Sequence, residues 1–174
     1  MSWVHVHLLL NHVPVIGIFG AVLVLAVGIV KRSQDVMRLG LGLVVLVAAA
    51  SVVVYLTGEP AEELVEHLPG VSESALESHE DAAYYATVVM TLIGVAVAAG
   101  LLVYRGAPSV PRWFAVWTLL LAIAAAAVMT WTAGLGGQIR HSEIRRDDAA
   151  PAAERAHDVS SATLGKPWLT RPST

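Results

Sequence analysis

Histidine supplies most of the chemistry open to this sequence. The chain has 174 residues with seven histidines and no cysteine, so disulfides, thiolate metal sites, iron–sulfur clusters and covalently attached c-type haem are excluded together. The imidazoles that remain are axial ligands for haem iron and donors to zinc or copper. His5, His7 and His12 precede or open the first apolar stretch, His67 and His79 fall in an acidic connection, and His141 and His157 lie near the end of the chain.

Two ligand sets can be drawn from them. In the first, His12 and His79 stand near corresponding ends of two long apolar segments and hold a b-type haem between them. Their helical phase differs. His79 is four residues before Ala83, a turn of about 400° that leaves it roughly 40° from a stripe of small residues, whereas His12, five residues before Gly17, is displaced by roughly 140° from its own stripe. In the second set, His5 and His7 join Glu63 and His67, which stand four apart on one helical face, in a nitrogen and carboxylate site suited to zinc or copper. The plainer alternative to both is interfacial histidines satisfied by water, headgroups or neighbouring carboxylates such as Glu80.

Those residues are positioned by elements that composition makes plain. Hydrophobic residues form 56% of the chain and charged residues 14%, with a mean hydropathy of +0.65; a soluble domain carries about a quarter charged residues, so lipid is the expected solvent. Uncharged stretches at 13–30, 39–58, 82–104 and 113–139 are each near or above the roughly 20 residues that cross the hydrocarbon. The fold class expected is all-α, an integral membrane four-helix bundle running up-down-up-down. Its spans lie at about 12–30, 37–57, 82–104 and 113–135. An acidic outer loop covers 58–81, the bundle covers 1–137, and a polar tail covers 138–174. The N-terminus lacks the basic region of a cleavable signal peptide, so the first helix reads as a retained anchor.

Charge sets the orientation. Lys31, Arg32 and Arg38 flank one short connection and Arg105 and Arg112 another, while the segment 59–81 carries eight acids and no Lys or Arg. The positive-inside rule then places the two basic loops in the cytoplasm and the acidic loop, both termini and every histidine outside. The tail's basic residues oppose this, but they are interleaved with acids. Trp113, Trp117 and Tyr104 at one end and Tyr55, Tyr84, Tyr85 and Trp131 at the other form the expected interfacial belts.

Small residues mark packing faces in lipid: Gly17, Ala21 and Gly28; Gly40, Ala48 and Ser51; Ala83, Thr87, Gly94 and Ala98; Ala115, Thr118, Ala122 and Ala125. Asn11 is expected to cap the first span, with Pro14 in its first turn and Pro111 opening the fourth. Ser74-Ala75-Leu76-Glu77 has capping-box spacing and starts the third helix about two turns before the membrane, and 60–67 reads as a short amphipathic helix. Met90 and Met129 read as core filler.

Several functions drop out. None of the four stretches contains an Asp, Glu, Lys, Arg or His, which disfavours an ion or proton path. No nucleophile–base pair, phosphate loop or HExxH helix is present, so the chain is not expected to be an enzyme on its own. There is no nucleic-acid footprint.

The segments Asn11-His12-Val13-Pro14 with Gly17, Thr57-Gly58-Glu59 with Ala61-Glu62-Glu63, Pro69-Gly70-Val71-Ser72, and His79-Glu80 with Ala82 resemble the uncharacterised four-helix inner-membrane proteins of bacteria. The resemblance covers roughly residues 7 to 135 and implies a bacterial cytoplasmic membrane and a four-helix bundle. It implies no activity. The function expected is a small subunit of a respiratory or other electron-transfer membrane complex holding haem b. The alternative is a non-catalytic accessory subunit that contacts other membrane subunits through its C-terminal tail.

Overall fold

The computed structural model describes residues 3–65, 68 and 71–139. Its elements are all helical: α1 Trp3–Leu10, α2 His12–Lys31, α3 Gln34–Leu56, α4 Gly58–Glu62, α5 Glu73–Val103 and α6 Arg112–Gln138. Four helices are long and apolar enough to cross a membrane, counting α1 and α2 as one run from Val4 to Lys31. Only 28–33% of each apolar window is buried, and Leu23, Leu46, Leu92, Val95 and Trp117 are exposed. Such faces are tolerable against acyl chains and not against water.

The helix ends differ from expectation in instructive ways. Asn11 does not cap α2. It sits in the helical region, and its N–H bonds to the His7 carbonyl at 2.8 Å, so α1 runs nearly unbroken into α2. The cap of α5 is Ser72, whose Oγ accepts from the Ala75 N–H at 3.4 Å, rather than Ser74. The expected helix at 60–67 is a shorter one, α4, ending at Glu62; Glu66 and His67 lie outside the described residues. The turn between α2 and α3 is closed by Arg32 in the left-handed region (φ 53°), with the Ser33 N–H on the Gly28 carbonyl at 3.0 Å, a conformation glycine would hold with less strain.

Packing follows the small residues. α2 lies against α3 and α6, and α5 lies against the same two. A Cβ on Gly40 would fall 2.7 Å from the Leu25 Cα, one on Gly28 would fall 2.7 Å from the Met37 nitrogen, and one on Gly94 would collide with the Ala48 Cβ. The buried faces of α2, α3 and α6 include the expected Ala21, Gly28, Gly40, Ala48, Ser51, Ala115, Thr118, Ala122 and Ala125. On α5 the face is rotated by one residue. Ala82, Ala86, Met90, Gly94 and Val97 are buried, whereas Ala83, Thr87 and Ala98 are only partly so. The rotation places the fully buried Met90 inside, and Met129 beside it in the core is 5% exposed.

At the basic end, Arg38 Nη2 donates to the carbonyls of Tyr104 (3.2 Å) and Ala107 (2.7 Å), and Gln34 Oε1 accepts from the Val110 N–H at 2.8 Å. These bonds tie the start of α3 to the turn that follows α5, where the Tyr104 carbonyl also accepts from the Ala107 N–H at 3.1 Å. At the opposite end the Ser72 N–H bonds to the Ile139 carbonyl at 3.1 Å, tying the start of α5 to the end of α6.

Gly94→Val should therefore separate α3 from α5 and destabilise the folded chain by roughly 1–3 kcal/mol. Gly20→Ala, where a Cβ meets nothing within 4 Å, should leave stability unchanged. Thermal unfolding of the two variants in one detergent checks the pair, and equal melting would refute the close-approach account.

Candidate functional site

Of His7, His12 and His79, one is exposed and two are anchored to other helices. His12 is exposed, and its Nδ1 lies 3.3 Å from the Leu8 carbonyl of its own helical run. His7 and His79 are half-buried, and each reaches across to another helix. His7 Nδ1 lies 3.1 Å from Thr57 Oγ1 at the end of α3, and His79 Nδ1 lies 3.0 Å from the Thr132 carbonyl on α6. The histidine that the structure sets electrostatically beside His79 is His7.

Helical phase explains both placements. His79 is seven residues before the buried Ala86, and seven residues fall about 20° short of two full turns, so its ring shares the inward face of α5. His7 stands seven residues before the buried Pro14, which itself precedes the buried Ala21 and Gly28 at the same interval. Since α1 continues into α2, His7 is the outermost member of that inward face. His12 is not on it.

The hydrogen bonds fix the tautomers. A carbonyl can only accept, so His79 Nδ1 carries the proton toward Thr132. Thr57 commits its single hydroxyl hydrogen to the Val54 carbonyl at 2.7 Å. Its oxygen therefore accepts from His7, and that Nδ1 carries the proton too. Both rings thus leave the Nε2 lone pair uncommitted by the bonds that orient them. An imidazole anchored through Nδ1–H on a carbonyl or hydroxyl is the arrangement in which Nε2 serves as a metal ligand.

Three further residues complete the surroundings. A Cβ on Gly136 would fall 3.0 Å from His79 Cε1, so glycine is what lets that ring lie against α6. Thr132, in line with the buried Thr118 and Ala125 at intervals of seven, bonds through its hydroxyl to the Val128 carbonyl at 3.0 Å and is 8% exposed. Asn11, one turn beyond His7, has a buried Oδ1 with no hydrogen-bond partner. A buried acceptor without a donor is costly and is common where a ligand or water completes the set.

The two histidines lie beyond the hydrocarbon. α5 spans 31 residues, about 46 Å at 1.5 Å per residue against a core of about 30 Å. Its charged residues Glu73, Glu77, Glu80 and Asp81 mark the projecting end, where His79 sits. His7 lies on α1, level with the threonine that follows α3. Burial lowers the proton affinity of both rings below the ordinary imidazole value of 6.5. For His7 the neighbouring His79 lowers it further, and the Val54 carbonyl opposes the change; for His79 the Thr132 carbonyl opposes it. Both shifts favour the neutral ring, the form that can ligate.

Of the other site residues expected from sequence, His5 and Glu63 are exposed and His67 lies outside the described residues. Among the described residues, no three His, Asp or Glu side chains converge as a metal set. Sequence reasoning did not pair His7 with His79 and did not single out Thr132 or Gly136. The interval of seven linking His7, Pro14, Ala21 and Gly28 was the available signal.

No family model matches the chain, and no curated protein or solved structure matches it either. The site stands on its own geometry.

Nitrogen-15 NMR of the imidazoles at pH 7.5 should show His7 and His79 as Nδ1–H tautomers, with titration midpoints below 6.5. Because the folded chain binds these protons less tightly than the unfolded one, their contribution to stability is complete above pH 6.5 and declines as the pH falls below it. Thr57→Val removes the acceptor for His7 and should cost about 1 kcal/mol, while Thr57→Ser retains it. An Nε2–H tautomer at either ring would overturn the assignment.

Proposed function

We propose that this chain is a small integral membrane subunit of an electron-transfer complex, holding a b-type haem at one end of its bundle through the imidazoles of His7 and His79. The observation that carries the reading is the pair of half-buried rings, each anchored through Nδ1 on another helix or its end, with Nε2 left for a metal. Porphyrin supplies four nitrogens to iron, so the imidazoles of His7 and His79 would be the two ligands asked of the protein. A bare zinc or copper ion would draw three or four ligands from the chain. The absence of thiols leaves imidazole as the fitting donor. When bound, such a haem supplies one-electron redox chemistry. Thr57 and Thr132 orient the ligands, and Gly136 admits the second ring.

In this reading the acidic end of the bundle and both termini face the periplasm of a bacterial inner membrane, and the basic turns at Arg32 and Arg105 face the cytoplasm. The tail beyond 138 contacts neighbouring subunits.

The protein purified after expression with a haem supply should show a reduced-minus-oxidised spectrum of b type. His7→Ala and His79→Ala should abolish it, and His12→Ala should leave it intact. A wild-type protein without those bands, or bands that survive loss of both rings, would transfer the function to the accessory reading, in which the chain only stabilises its neighbours. Reporter fusions after Arg32 and Arg105 should be cytoplasmic and a fusion at Thr174 external; the opposite pattern would invert the orientation.

A further inference from the structure

At the basic end, α3 and α5 do not close on each other completely. A groove of about 630 Å³ opens between them, lined by apolar side chains that include Leu39, Leu43, Leu46 and Leu102, with Arg38 at its mouth. Gly42 lies on its wall, and a Cβ there would meet nothing within 4 Å. We propose that this groove holds one anionic phospholipid, its phosphate on Arg38 and one acyl chain along α3.

Length and charge commit the groove to that occupant. From Arg38 to Leu46 is eight residues, about 12 Å along the helix, close to the roughly 15 Å depth of one leaflet of the hydrocarbon. A chain entering at headgroup level would therefore stay in the groove through most of its leaflet. Arg38 Nη2 is held on the Tyr104 and Ala107 carbonyls, which fixes the guanidinium in place and leaves Nε and Nη1 for a phosphate oxygen. Arg105, exposed and next to Tyr104, adds a second cation at the same level. Cationic pockets between membrane helices select lipids of net negative charge, because a zwitterionic headgroup brings its own cation to the site. The site is far along the helices from the imidazole pair and does not depend on the haem reading.

The full-length protein is extracted from vesicles of equimolar phosphatidylglycerol and phosphatidylcholine and examined by native mass spectrometry. The wild type should retain one phosphatidylglycerol in preference to phosphatidylcholine. Arg38→Gln should reduce that preference roughly fivefold. Gly42→Leu, which fills open space and leaves Arg38 untouched, should reduce retention of both lipids. Equal retention of the two lipids by the wild type, or an unchanged preference in Arg38→Gln, would overturn the proposal. If Arg38→Gln does not fold, Gly42→Leu decides alone, and undiminished retention there rejects the site.

Discussion

The structure depends on how closely its helices approach. In hydrocarbon there is no hydrophobic gain in hiding a leucine from lipid, so association rests on contact area and on backbones brought near one another. Gly40 against Leu25, Gly28 against Met37 and Gly94 against Ala48 provide that approach along α3, and the alanines of α6 extend it. Many large side chains face outward, as with Leu23, Leu92 and Trp117, while Ile18, Leu25, Leu41 and Met90 fill the spaces the small residues leave inside. An interior of such apolar groups cannot hold an unpaired charge. The polar groups buried within it are hydroxyls that bond back to their own helix, as Ser51 does to the Val47 carbonyl at 2.9 Å.

Chemistry is therefore displaced to the two ends. At one end Arg38 is held at the bundle's edge by the Tyr104 and Ala107 carbonyls just past α5, where the negative end of the helix dipole favours a cation. At the other, the tops of α1, α3, α5 and α6 offer two threonines and a glycine, and a neutral imidazole is the side chain that these can bind. Burial lowers the proton affinity of both rings while Nδ1–H satisfies the protein, so the neutral form, with its Nε2 lone pair, is favoured over a buried charge.

The helices were legible in the sequence because length and apolarity survive any uncertainty of phase. Phase itself was less legible. Within a span where nearly every residue is apolar, periodicity weakens as a signal, and small residues fall on two adjacent faces of α5: Ala82 and Ala86 on one, Ala83 and Thr87 on the next. The stripe was read one residue late for that reason. His79 was still placed well, since the shift only brought it closer to the inward face. In the sequence Asn11 and Pro14 resemble a helix start, which separates His7 from the stripe that begins at Pro14 and leaves it to the zinc or copper set with His5, Glu63 and His67. Asn11 adopts helical geometry instead, and the interval of seven then continues outward through the break to His7.

That continuity also bears on why the pair can be rigid. A histidine on a frayed terminus would lose any geometry its partner requires, and each ordered side chain carries an entropic cost. His7 is held on a short helix whose far end is fused to a membrane span and whose side chain is bonded to the end of a second. His79 is held on the projecting turns of a third helix and bonded to a fourth. Each ring thus draws its position from two elements, α1 and the end of α3 for His7, α5 and α6 for His79. Rings held in that way need no long loop to position them, because both of their anchors, Thr57 and Thr132, lie in or directly after a long apolar helix.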